Sequence, residues 1–335
     1  MNLQETIAKL PKIELHCHLD GSLRPETVWE LAHEKGFKLP IQNKSDVKKF
    51  FNATGRKSLS DYLTLFGYTV PLMQTRDGLK RCVTELIQDF AAETGKYIEI
   101  RYAPFLHTQE RLQPEHVVEA TIKGLRDGEQ KTGIKARLIL IAMRQESAEL
   151  SLEVARLAVA YKKKGVVAFD IAGPEKGHPP EKHSKAFDYA KSNDLFVTIH
   201  AGEEDCSDYI GQALNLSTDR LGHGLHLEFA TDLVQDEVKE KKIALETCPT
   251  SNLQTKSWDR YSLHPLYRYH QEGFRVTVNT DNRLMSDTTS TQELVHMQEA
   301  FELDLKILRT FTQNAARAAF LPEAERADLL KLVSD

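Results

Sequence analysis

The sequence predicts an α/β chain folded as a (β/α)₈ barrel of the TIM type, with a helical insertion after the first strand. Three observations predict it. Eight short runs rich in β-branched residues alternate with longer stretches of helical periodicity. Several runs, among them Val166–Gly173 and Leu195–Glu203, are almost continuously apolar, as parallel strands covered on both faces are. Histidines and carboxylates fall at the C-terminal ends of these runs, the rim on which such barrels build their sites.

The candidate strands are Ile13–Leu19, Tyr97–Pro104, Lys135–Ala142, Val166–Gly173, Leu195–Glu203, Arg220–Leu227, Ile243–Pro249 and Arg275–Asp281. Helical stretches such as Pro114–Thr132 and Ser147–Lys164 join them, so each step reads as a right-handed crossover. Residues 20–96, between the first two strands, form the insertion. Within it, Pro25–Lys35 and Arg76–Thr94 place apolar residues three and four apart. An insertion after a strand lies over the mouth of the barrel, where a lid is expected. Ser290, with Glu293 three positions on, reads as a capping box opening a helix that runs to Leu303. Leu305–Phe320 reads as a further helix closing the wall. No repeat, low-complexity tract or linker interrupts the chain, so residues 1–335 are expected to form one domain.

Composition narrows the function. The chain has 335 residues, 41% of them hydrophobic, enough for one large barrel core. A net charge of −5 argues against a nucleic-acid or anionic-membrane partner, which would want a basic surface. The longest apolar runs, such as Leu138–Ala142, are too short to span a bilayer. The opening segment MNLQETIAKLPK has no apolar stretch of the kind a signal peptide needs. Cys17, Cys82, Cys206 and Cys248 stand far apart with no C-x-x-C pair, which suits a reduced compartment. A cytoplasmic protein is expected.

His16 and His18 lie two apart at the end of the first strand, so both imidazoles face the same side. His200 ends the fifth strand and Asp281 the eighth. Strands one and eight are neighbours in such a barrel, with strand five across the mouth, so all four residues converge. Three imidazoles and a carboxylate suit Zn²⁺ and leave room for water. Four separate buried polar groups would each need a partner of their own. Glu203 stands just beyond the fifth strand, in reach of a substrate, and His223 ends the sixth between two glycines.

Absences narrow the chemistry further. Barrel hydrolases with two metals commonly bridge them through a modified lysine at the end of strand four. Here that strand ends Asp170-Ile171-Ala172-Gly173, and Lys162 to Lys164 lie at its other end. One zinc per chain is therefore expected. There is no H-E-x-x-H, G-x-x-x-x-G-K-[ST], G-x-S-x-G or G-x-G-x-x-G. His226-Leu227-Glu228 matches half of the cytidine-deaminase signature, but no P-C-x-x-C follows it.

Four segments in order resemble those of the adenosine deaminase family. Pro11 to Ser22 is similar to the family's opening motif, and His200-Ala201-Gly202-Glu203 to its central one. Gly222-His223-Gly224 and Asn279-Thr280-Asp281 resemble the next and the last. The resemblance spans nearly the whole chain.

It implies zinc-dependent hydrolytic deamination of adenosine, and of 2′-deoxyadenosine, to inosine and ammonia. His16, His18, His200 and Asp281 would hold the zinc, which lowers the pKa of its water to about 7. Glu203 would protonate N1 of the purine, and His223 and Asp281 would orient the attacking oxygen. His18 would also border the substrate. Gly173 would offer its backbone N–H to N3, and Asp20 would hydrogen-bond the ribose 5′-hydroxyl. At Asn282 the chain departs from the pattern, since many members carry a second aspartate facing N7. Related branches act on adenine, aminodeoxyfutalosine or N6-methylated AMP. Asp20 favours a free nucleoside, because a carboxylate repels a 5′-phosphate. A non-catalytic nucleoside-binding protein would be missing a ligand or the acid, and none is missing here.

Overall fold

A computed structural model describes residues 2–204 and 206–334. Its strands are β1 (Lys12–His18), β2 (Gly95–Tyr102), β3 (Lys135–Met143), β4 (Val166–Ala172), β5 (Phe196–Ala201), β6 (Arg220–His223), β7 (Ala244–Thr247) and β8 (Arg275–Val278). They pair in parallel in sequence order. The barrel closes just past the end of β8. There His18 N donates to Asp281 O at 2.7 Å and Asp281 N donates to His16 O at 2.9 Å.

Each expected strand is present. Those after β4 stop sooner than their apolar runs suggest, because the chain turns sharply at their ends. His223 and Gly224 both take left-handed backbone (φ 62° and 65°), and Pro249 starts a short helix directly after β7. Pro25–Lys35 and Pro114–Thr132 are helices with the bounds expected. The stretch Ser147–Lys164 resolves into a helix, Ala148–Ala160, and a separate 3₁₀ turn, Lys162–Lys164. The expected capping box at Ser290 does not form. Thr289 is the cap, accepting from Gln292 N at 3.1 Å, and Ser290 begins the helix Ser290–Phe301. Glu293 is drawn inward instead, accepting from Thr250 N and the Thr288 hydroxyl.

Between β1 and β2 the insertion folds into helices Pro25–Lys35, Val47–Phe51, Leu59–Leu63, Phe66–Thr69 and Arg76–Ala92. Among the described residues, no helix is long and apolar enough to cross a membrane.

The barrel axis is lined by a chain of buried charges. Arg101 donates to Asp170 at 2.8 Å and to Glu246 at 2.7 Å, and all three are fully buried. Arg220 bridges Glu246 and Glu99, at 2.5 Å to each, and lies over the Phe320 ring. Buried charges persist only when paired and hydrogen-bonded. Here every carboxylate of the chain has a guanidinium partner.

Candidate active site

The four sequence-predicted ligands meet at the C-terminal mouth. His18 Nε2 lies 3.3 Å from both His200 Nε2 and Asp281 Oδ1, and His16 Nε2 lies 3.5 Å from the same oxygen. Ligands placed 2.0–2.1 Å from a tetrahedral zinc stand roughly 3.4 Å apart, so the spacing fits one such ion.

The opposite edges of two rings are fixed from below. His16 Nδ1 sits 2.8 Å from Glu246 Oε2, and His200 Nδ1 sits 3.0 Å from Asp170 Oδ2. A carboxylate beside Nδ1 places the proton there and turns the Nε2 lone pair toward the mouth. His16 Nε2 is accordingly buried without a hydrogen-bond partner. Burial pushes the pKa values of His18 and His200 well below the usual histidine range, so both are neutral imidazoles able to ligate. The donor set therefore fits a divalent metal of zinc's character.

Glu203 and His223 complete the rim, with Glu203 Oε2 3.5 Å from His223 Nε2. Burial, reinforced by Asp281, Glu175 and Glu204, raises the Glu203 pKa well above the carboxylate range. The Asn252 side-chain amide donates to His223 Nδ1 at 3.0 Å, which leaves the proton on Nε2, facing the site. Ser251 Oγ donates to Asp281 Oδ2 at 2.6 Å. Both His223 and Asp281 have left-handed backbone, with φ of 62° and 58°. Such conformations cost about 1–3 kcal/mol outside glycine and cluster where function requires them.

A cavity of about 450 Å³ opens beside His18. Leu63, Phe66, Leu106, Ile141 and Met143 supply apolar walls, and Asp20 and Gly173 border it. Among the described residues, no lysine or arginine lines it. Asp20 is buried with Oδ1 unpartnered. Gly173 has φ +108°, and a Cβ there would come within 2.6 Å of Gln145 Oε1. Asn282 is also buried with its Oδ1 unpartnered, and lies so close to Gly21 that a Cβ on that glycine would collide with it.

Asp170, Glu246 and Arg101 were missed as site residues. Their signal was charge inside strands that otherwise read apolar. Ser251 and Asn252, in the short helix Pro249–Gln254, carried no signal.

A parallel barrel with imidazoles and a carboxylate converging at its C-terminal mouth defines a metal-dependent barrel enzyme. The family description for adenosine deaminase matches residues 11–335, and the chain belongs to that family. It is 39% identical to an adenosine deaminase of Clostridium acetobutylicum, covering 99% of each chain. It is 42% identical to an adenosine deaminase 1 of Streptomyces coelicolor, covering 97% of this chain and 86% of that one. Among solved structures, an adenine deaminase from Arthrobacter aurescens matches with a TM-score of 0.90 at 26% identity, covering 97% of this chain and 98% of that one.

Proposed function

We propose that the chain hydrolyses the 6-amino group of adenosine and 2′-deoxyadenosine, releasing the 6-oxo nucleoside and ammonia. One observation carries the reading: a neutral-leaning carboxylic acid, Glu203, stands at the edge of a four-donor metal site whose His18 borders a largely apolar cavity of about 450 Å³. His16, His18, His200 and Asp281 would hold one zinc ion, which when bound supplies Lewis acidity and hydroxide at neutral pH.

The chain's own residues carry the remaining steps. His223, protonated on Nε2, donates to the attacking water's oxygen and holds it below the ring. Asp281 takes up the water's proton while Ser251 steadies its other oxygen. Glu203 delivers its proton to N1 as C6 becomes tetrahedral, and that proton keeps charge from building on the ring. Asp281 then passes its proton to the departing nitrogen, which leaves as ammonia, while the C6 hydroxyl gives its proton to the Glu203 carboxylate as the 6-oxo group forms. Gly173 meets N3 through its backbone N–H, Asn282 meets N7, and Asp20 takes the 5′-hydroxyl.

The cavity supports a nucleoside over a nucleotide. With Asp20 at its edge and no lysine or arginine among the described residues of its lining, a 5′-phosphate meets no counter-charge there. The location that goes with this reading is the cytoplasm. Purified protein offered adenosine, adenine, AMP and aminodeoxyfutalosine, with ammonia followed, tests the proposal. Adenosine should react fastest, and a clear preference for any of the others overturns it.

A further inference from the structure

The loops after β4 and β5 are tied together by two glutamates that exchange backbone partners. Glu175 accepts from Gly202 N at 2.6 Å and from Glu204 N at 2.7 Å. Glu204 Oε2 accepts in return from Glu175 N at 3.0 Å and from Lys176 N at 2.9 Å. Glu203 thus sits between two residues whose N–H groups are held by one carboxylate. Gly173 lies two residues before the other half of the clasp.

Arg144 adds a third tie. Its backbone N–H donates to Ala172 O at 2.9 Å, its Nη2 donates to His200 O at 3.0 Å, and its Nη1 lies 3.9 Å from Glu175. From beyond β6, His226 N donates to Gly202 O at 3.1 Å.

We propose that Glu175 is a positioning residue that sets the span between Gly173 and Glu203. The inference rests on the function proposed above, in which Gly173 meets N3 and Glu203 meets N1. Those two nitrogens belong to one rigid ring. The two protein groups must therefore hold one fixed separation, although they stand on different loops. Neither strand end alone provides that constraint, because β4 and β5 pair only through Ala168–Phe196 and Phe169–Val197, well before the mouth. The clasp supplies it. Glu175 is fully buried, and taking a carboxylate out of water to bind backbone amides is costly. Water could satisfy the same amides, but it could not fix the spacing of the two loops.

The test uses zinc-loaded, full-length enzyme and two substrates, adenosine and 3-deazaadenosine, which lacks the N3 acceptor. In Glu175→Gln one half of the carboxylate becomes an N–H donor facing another N–H, so one tie is lost. Glu204→Ala removes the other half at a partly exposed position, where folding is less at stake. Misplacing a reacting group by about 1 Å can cost roughly 100-fold. In both variants kcat on adenosine should fall about 10- to 100-fold, with KM moving far less. The wild-type preference for adenosine over 3-deazaadenosine should shrink toward unity, because the ring can then satisfy only one of its two contacts at a time. Zinc content should not change. A lowered Tm with the preference intact in both variants would show the clasp to be merely structural, and the inference falls. A wild-type enzyme that releases no ammonia from adenosine, or shows no preference for N3, overturns the underlying reading and this inference with it.

Discussion

His18 Nε2 stands 3.3 Å from His200 Nε2, and the far nitrogen of the His200 ring is already held by Asp170. Asp170 keeps the proton on that far nitrogen, so the His200 Nε2 lone pair faces His18 and Asp281 Oδ1, a set of donors arranged for a cation between them. Elemental analysis of the purified protein should find about one zinc per chain, the content of a mononuclear catalytic site. A value near two, lost together with activity on chelation, would count against the site.

Asp170→Asn should weaken zinc binding without displacing any of its ligands. Replacing a carboxylate that orients a ligating histidine typically costs about 10- to 100-fold in metal affinity. Competition with a chromogenic chelator measures this, and added zinc should restore most of the activity. Unchanged affinity would mean that Asp170 serves only Arg101.

Glu203→Gln should keep the metal and lose at least about 10²-fold in kcat, the lower bound for a general acid. The pH profile carries a separate test. Burial, and then the charges of Asp281, Glu175 and Glu204, hold the Glu203 pKa above the ordinary carboxylate value. An acid with a raised pKa stays protonated below it, so kcat/KM is full at lower pH and declines as pH rises through the raised value. That alkaline limb should disappear in the glutamine variant. A limb that survives unchanged belongs to another group.

Asp20→Asn should narrow the gap between adenosine and AMP, by weakening the 5′-hydroxyl contact and relieving repulsion of the phosphate. Steady-state kinetics on both substrates decide it, and an unchanged ratio removes Asp20 from the 5′ subsite.

Asn282 bears on N7, which only accepts hydrogen bonds. Its side chain is buried against Gly21, and an asparagine amide N–H donates at any pH. 7-Deazaadenosine should react worse than adenosine by roughly 1–3 kcal/mol in kcat/KM, the cost of leaving a buried donor unpaired. The change also alters ring electronics, so the comparison is run as a cycle with Asn282→Ala. Equal discrimination by both proteins would show that Asn282 does not read N7.

Much of this site was legible in the sequence because strand ends are. A residue at the close of an apolar, β-branched run in a barrel has only one rim to occupy, and that brought His16, His18, His200 and Asp281 together on paper. The groups beneath them were harder to read. Asp170 and Glu246 lie within strands, and only the folded register shows that they touch Nδ1 of His200 and His16. Glu175 and Glu204 stand in loops, and nothing local indicates that each will bind the other's backbone. The capping box at Ser290 failed for a related reason. Glu293 had a tertiary partner in Thr250, and that contact won over the local one.

The left-handed backbone at His223 and Asp281 limits how this mouth can drift or be redesigned. A β-branched or bulky replacement at either position meets a conformational barrier before its side chain meets any ligand. Asparagine, aspartate, histidine and glycine are the neighbours that such a backbone tolerates. At Asp281 the restriction is doubled, because its N–H and C=O also fasten the C-terminal end of β1. A library aimed at new chemistry on this scaffold will therefore find few folded members by randomising those two sites. Its productive variation lies at Asp20, Gln145 and Asn282, where the left-handed conformation is not imposed.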